Sequence, residues 1–288
     1  YEATMTAHTY ADVLIKPCYS EIESRSVVDL STVIGNCSLQ FPVISANMKT
    51  VTGAKMAYAI AVAGGRGTLH RFNTIEQAVE EWRDFFDIVS HEAVPEKKYN
   101  HPIVSIGVQE EDKSRFEALY EASARTFCID VAHGHNTNMK NMLKWINNTI
   151  FKWARNDRGQ VTLIAGNIAT PEAYSDLIEW GADVAKVGIG PSPVCRTRYN
   201  TGVGIPQLYA LQTIHEQSMS EEKPIPIIAD GGISHVGDIA KALRYADAVM
   251  IGSMIAGTSE APGHVFRDEG GEFYKVYGGS ASGENKGE

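Results

Sequence analysis

Two stretches of this sequence hold side chains whose types and spacing could do covalent chemistry. In "GIGPSPVCRTRYNTGVG" (188–204), Cys195 stands beside Arg196 and close to Arg198. Thiolate is the reactive form of cysteine and neighbouring guanidinium groups favour it, so Cys195 is a candidate nucleophile. The Gly and Pro content predicts that 188–204 is a mobile loop. Cys128, inside the apolar run "FCIDVA", reads instead as a small buried hydrophobe. The second stretch comprises "ADGGI" (229–233) and "IGSM" (251–254), each followed by a helical pattern. Gly231, Gly232 and Gly252 would let phosphate oxygens approach backbone N–H groups, although glycines also simply end strands. Asp230 could accept from two ribose hydroxyls or cap the next helix. In "CIDVAHGH", Asp130, His133 and His135 could be metal ligands, but a second ligand cluster is lacking, and Asp130 reads better as a carboxylate facing a site. Asn167 offers an amide, and His70 and Arg71 are further site candidates.

These residues need elements to hold them. Eight short apolar runs recur: 42–46, 65–70, 103–107, 127–132, 161–166, 183–188, 224–232 and 247–252. Amphipathic stretches such as "TIEQAVEEWRDFFDIV", "TPEAYSDLIEWGA" and "HVGDIAKALRYA" lie between them. Alternating strand and helix signals imply a parallel α/β architecture. Eight units in 288 residues fit a (β/α)8 TIM barrel, whose site lies at the carboxyl ends of the strands. The candidate residues all fall at such ends. One catalytic domain is expected over 1–288, with 260–288 as an excursion beyond the eighth strand. The charges on "EQAVEEWRDF" read as a solvated helix face, and Trp145, Phe151 and Trp153 as helix packing.

Composition removes several classes of function. A net charge of −9 argues against a nucleic-acid partner. The first twenty residues lack a signal-peptide pattern and no stretch reads as a membrane span, which predicts a cytoplasmic protein. The four cysteines, Cys18, Cys37, Cys128 and Cys195, show neither paired nor zinc-finger spacing. The chain opens on Tyr1 and stops in a polar, Gly-rich run, as a piece of a longer chain would.

Read together, the strand-end motifs resemble the inosine monophosphate (IMP) dehydrogenase and guanosine monophosphate (GMP) reductase family. The resemblance rests on "DVLIKP" (12–17), "SRSVVDL" (24–30), "SANMKTV" (45–51), "IDVAHGH" (129–135), "AGNIATPEA" (165–173), "KVGIGPSPVCRTR" (186–198), "IIADGGI" (227–233) and "MIGSMIAGTSEAPG" (250–263). The chain runs from "LHRFNTIEQAVEEW" to the third strand without the inserted CBS modules of many dehydrogenases. That favours the reductase branch, as do "NTGVG" and the bacterial-type "SAS...KGE" segment.

The resemblance implies an NADPH-dependent oxidoreductase of purine metabolism. In it Cys195 adds to C2 of GMP, ammonia leaves through a thioimidate-like adduct, and hydride transfer gives IMP. Thr197 would assist proton transfer with a flap glutamate. Asp230 would hold the ribose, and Gly231, Gly232, Gly252, Ser253, Gly279, Ser280 and Ala281 would line the nucleotide site. Ser24, Arg25, Arg71, Asp130, Val131 and Ala132 match cofactor-contacting positions. Backbone carbonyls of Gly190, Ser192 and Cys195 would bind a monovalent cation such as K+, and the family is typically a homotetramer. Two alternatives stay open: an NAD-dependent IMP dehydrogenase without CBS modules, and a purine-nucleotide-binding regulatory protein with impaired catalysis. The second is motivated by departures from the family pattern. "GPSP" stands where the family has "GPGS", so Ser192 replaces a glycine and Pro193 lacks an N–H. Lys49 replaces an aspartate. The flap segment is expected beyond Glu288.

Overall fold

Parallel strands covered on both faces read as continuous apolar runs, and each of the eight runs forms a strand. The computed structural model describes residues 6–91, 99–153, 161–192 and 197–278. A hairpin of β1 (Thr32–Ile34) and β2 (Cys37–Leu39) comes first. Then β3 (Val43–Ser45), α1 (Ala54–Val62), β4 (Arg66–Leu69), α2 (Ile75–His91), β5 (Ile103–Ile106), α3 (Glu110–Glu121), β6 (Thr126–Asp130) and α4 (Thr137–Trp153) alternate. The alternation continues with β7 (Thr162–Ile168), α5 (Pro171–Trp180), β8 (Val184–Val187), α6 (Thr197–Thr201), α7 (Gln207–Ser218), β9 (Ile227–Asp230), α8 (Val236–Ala242) and β10 (Ala248–Ile251). A short exposed hairpin, β11 (Phe266–Arg267) and β12 (Phe273–Tyr274), follows. Strands β3 to β10 pair in parallel and close on themselves, β10 against β3, as a (β/α)8 TIM barrel.

Side-chain alternation along the strands separates two cores. Ile44, Ile103, Cys128, Ile164, Val184, Ile228 and Ala248 fill the barrel and meet Ile34 and Leu39 of the first hairpin, which closes its amino-terminal end. Val104, Phe127, Leu163, Ala185, Ala229 and Val249 point outward, into the core shared with the helices. Burial of each Val, Leu, Ile or Phe among them contributes about 1.5–3 kcal/mol. The helix signals act as physical caps. In α5 the Thr170 side chain accepts from Ala173 N–H, Pro171 opens the helix, and Gly181 ends it in the left-handed region.

Three expectations change. Among the described residues "IGSM" leads into a series of turns over 252–260, not a helix, so only the seventh strand's loop runs into a helix. Asp230 does not cap α8: Asp238 does, accepting from the N–H groups of Ser234 and His235. Phe151 is 76% exposed rather than packed, because helical phase keeps Ile146 and Ile150 on the buried face and turns the next position outward.

Candidate active site

The carboxyl ends of the strands bring together residues far apart in the sequence. Asp130 ends β6, Asn167 lies in β7, Lys186 in β8, and Asp230 ends β9. Lys186 is 1% exposed and its ammonium donates to Asp130 Oδ1 at 2.9 Å, to Asp230 Oδ2 at 2.7 Å and to Asn167 Oδ1. Asn167 Nδ2 in turn donates to Asp230 Oδ2 (2.8 Å) and to the Gly188 carbonyl (2.7 Å). Burial works to raise the Asp130 pKa, but the charge and hydrogen bond of Lys186 outweigh it and hold this carboxyl below its ordinary value. Burial would likewise lower the Lys186 pKa, and the two carboxylates push it up instead. The cluster therefore sets two carboxylates on one buried cation.

The glycines around it have backbone reasons. Gly231 and Gly232 have φ of +93° and +78°, the left-handed region that side chains disfavour, and turn the chain at the mouth against Pro191. A Cβ on Gly188 would sit 2.0 Å from the Asp230 carbonyl, so only glycine lets β8 and β9 approach here. Gly252 faces Tyr277 and Met48, and Ser253 beside it is exposed. Tyr277 also neighbours Ser192 and Asp230, and its pKa is raised chiefly by burial. Thr50 Oγ1 bonds the backbone of Gly278, so the chain reaches the mouth just before Gly279.

A second group lines the rim after β4. Arg71 Nε donates to the Asp130 carbonyl (3.1 Å) while its guanidinium lies 5.1 Å from the Phe72 ring centre. His70 is buried, and burial followed by the charges of Lys49 and Arg115 lowers its pKa to about 4. Its Nδ1 accepts from Phe72 N–H, and Nε2 stands 3.9 Å from Glu81 Oε2. That separation is too long for a strong ion pair, and burial, with Asp84 nearby, raises the Glu81 pKa to about 7. Asn47, beside Asp130, is 5% exposed, and its side chain helps to hold the Asp130 carboxyl below its ordinary value.

The positions expected from sequence divide in three. Asp130, Asn167, Asp230, Gly231, Gly232, Gly252, Arg71 and Val131 gather at the mouth, Val131 through backbone bonds to Gly166 and Asn167. Ser24 and Arg25 sit in an exposed turn over 25–27, and no hydrogen bond or ion pair among the described residues joins them to that cluster. Cys195, with Arg196, Gly279, Ser280 and Ala281, lies outside the described residues, as does the side chain of Thr197, whose backbone opens α6. Arg198 donates to the Tyr199 hydroxyl at 2.9 Å on the exposed surface. Gly190 and Ser192 flank the undescribed segment. Asp130 and His135 do not share a ligand: His135 Nε2 pairs with Asp176 at 2.8 Å while Asp130 is on Lys186. Among the described residues no helix is long and apolar enough to cross a membrane. Sequence reasoning missed Lys186, Asn47 and Tyr277. The signal for Lys186 was present, a charged residue inside the apolar run "DVAKVG".

Comparison with known proteins agrees with this geometry. The family model described as the IMP dehydrogenase / GMP reductase domain matches residues 7–288. A GMP reductase of Paracidovorax citrulli is 39% identical over 292 residues, covering 99% of this chain and 81% of its own length. A GMP reductase of Streptococcus agalactiae serotype V is 39% identical over 282 residues (97% and 79%). An inosine-5'-monophosphate dehydrogenase of Cryptosporidium parvum is 36% identical over 308 residues (95% and 74%). A barrel whose mouth gathers these strand-end motifs, matched over nearly its whole length by one family model, belongs to the IMP dehydrogenase / GMP reductase family.

Proposed function

We propose that this chain is an NADPH-dependent GMP reductase that converts GMP to IMP and ammonia through a covalent bond between Cys195 Sγ and purine C2. The observation that carries the reading is the convergence of Asp230, Asp130 and the left-handed glycines Gly231 and Gly232 at one barrel mouth. The identity of 39% to proteins named GMP reductase supports it.

Asp230 takes both Lys186 and Asn167 on Oδ2, which leaves Oδ1 to accept from ribose hydroxyls. The phosphate is held by backbone N–H groups at Gly231, Gly232 and Gly252, the Ser253 hydroxyl, and the segment Gly279, Ser280, Ala281. Since "IGSM" opens no helix, this hold rests on individual N–H groups rather than on two helix starts. The Cys195 thiolate forms the Sγ–C2 bond. The C2–N2 bond then breaks and N2 departs as ammonia, with Thr197 helping to bring the proton. Departure of Sγ from C2 after reduction returns the thiolate and frees IMP.

The mouth suits a nicotinamide cofactor: the Arg71 guanidinium and the ionised Asp130 carboxylate stand beside each other there, with the Asn47 amide next to them. Arg71, Asp130, Val131 and Ala132, with Ser24 and Arg25, are the residues to hold it. Bound NADPH supplies hydride to C2. The carbonyls of Gly190, Ser192 and Cys195 would supply an all-oxygen set of the kind a hard cation such as K+ takes. Assembly as a homotetramer belongs to the same reading.

The test follows the near-ultraviolet absorbance of reduced nicotinamide with GMP or IMP and each cofactor. Loss with GMP and NADPH, abolished in Cys195→Ala while nucleotide binding persists, supports the reductase. Gain with IMP and NAD makes the chain a dehydrogenase. Nucleotide binding without either signal makes it a regulatory binding protein.

A further inference from the structure

The buried Lys186 has more negative charge around it than its own burial requires. One carboxylate and two neutral acceptors would satisfy an ammonium, which has three N–H donors and no acceptor. Here the three donors reach two carboxylates and one amide, on three different strands. With 1% exposure and every donor engaged, Lys186 has none left for a ligand. Its chemistry is therefore exercised on its neighbours.

Those neighbours face two different tasks. Asp230 is the ribose carboxylate and Asp130 a cofactor carboxylate in the reading above, and this inference rests on that reading. Both are bound through one oxygen to the same nitrogen, Asp130 at 2.9 Å and Asp230 at 2.7 Å. Without a cation between them, two carboxylates this close repel, and one takes up a proton. A protonated or displaced Asp230 would accept less well from ribose. Arg71 adds its charge at Asp130 but does not take the lysine's place between the two carboxylates, because it donates to the Asp130 backbone carbonyl. Cys128, also in the barrel, is no cation, and burial pushes its thiol up to about 12.

We propose that Lys186 is a positioning residue that holds the ribose carboxylate and the cofactor carboxylate ionised side by side and fixes the spacing between the two subsites. It contacts neither ligand, and its effect on both comes through charge balance. Loss of the lysine should then be repaired by removing one of the two charges it balances, an outcome that loss of a merely structural residue would not give.

The experiment measures equilibrium binding of GMP by calorimetry to the full chain as wild type, Lys186→Met, Asp130→Asn and the double variant. Lys186→Met is expected to weaken GMP binding by at least about 30-fold, the size expected for a lost charged hydrogen bond. Asp130→Asn, which keeps the side-chain shape and leaves Asp230 with the whole ammonium, is the single-variant reference that completes the double-mutant cycle. The double variant should bind about tenfold more tightly than Lys186→Met, since a single carboxylate has no like charge to repel. If Lys186→Met does not fold, recovery of both fold and binding in the double variant carries the same meaning. A folded Lys186→Met that binds as wild type, or a double variant no better than Lys186→Met, overturns the inference. Wild-type protein that binds neither GMP nor IMP removes the reading of the site itself; wild-type binding with no response at Lys186 removes this inference alone.

Discussion

The barrel strands bury a cation at each end, Arg66 at the foot and Lys186 at the mouth, and the two are neutralised differently. At the foot, Arg66 is 6% exposed and donates to the His101 carbonyl (2.6 Å) and to Thr126 Oγ1 (2.8 Å), both neutral. Burial lowers its pKa, with Cys37 alone opposing. At the mouth Lys186 meets two carboxylates, and its pKa rises. A cation that only has to close a barrel end can be satisfied by neutral acceptors already in the backbone and strands. Two carboxylates on one ammonium are more than closure needs. The difference teaches that surplus charge, rather than burial of charge, marks the working end.

The largest effect expected from this comparison is at Asp230. Asp230→Asn keeps shape and leaves Lys186 on Asp130, so the fold should survive while kcat/KM for GMP falls about 100-fold. A thermal scan beside steady-state kinetics checks both halves. An equal loss of Tm and activity would break the comparison, since the mouth would then be as structural as the foot. The next effect is the mirror image. Arg66→Met removes two charge-assisted hydrogen bonds and should cost about 1–3 kcal/mol of stability, measured by urea unfolding, with turnover per folded molecule unchanged within about twofold.

The fold was legible because its signals are local. Eight contiguous apolar runs and caps such as Thr170 and Gly181 act within a few residues of themselves. The glycines and carboxylates of the mouth were legible too, since strand ends place them. Lys186 was not, because its meaning comes from Asp130 and Asp230, 56 and 44 positions away, and a lone lysine in an apolar run looks like an interruption. Tyr277 was hidden for the same reason: nothing near it in sequence says that its chain returns over Met48 and Thr50. The β1–β2 hairpin that plugs the foot is short and weakly patterned, and long-range contacts reveal it: Asn36 on Thr162, Cys37 and Ser38 on Asn100, and the packing of Ile34 and Leu39. The turns after β10 defeated a periodicity that reads as helical.

A smaller effect separates the mouth from the foot by acid. The folded Asp130 pKa lies below the ordinary value of 3.8, with Lys186 as the stabilising cause. The folded state therefore binds that proton less readily than the unfolded chain. The stability it contributes is present above the unfolded value and is lost as pH falls through the folded one. Asp130→Asn should lower Tm in the neutral range and flatten its decline below about pH 4. An unchanged acid limb would mean that Lys186 does not stabilise the charged form.

The smallest effect comes from a carboxyl that lacks such a cation. Glu81 accepts only a long bond from Asn73 Nδ2 (3.4 Å) and stands 3.9 Å from His70, which is itself kept neutral near pH 7 by a pKa lowered to about 4. Burial thus raises Glu81 to about 7, opposite in direction to Asp130. For an acid raised on folding, the unfolded chain gives up its proton first. Stability is then lost as pH rises from the unfolded value of 4.5 to about 7, and the full cost stays above that. Glu81→Gln removes the titration but keeps an oxygen for Asn73. Its Tm should match wild type near pH 5 and exceed it by about 2–5 °C near pH 8, given about 1.4 kcal/mol per tenfold change in protonation and the loss of one weak contact. A variant less stable than wild type at pH 8 would show that Glu81 is ionised and paired with His70 after all, and that a buried carboxyl at this rim needs no lysine to stay charged.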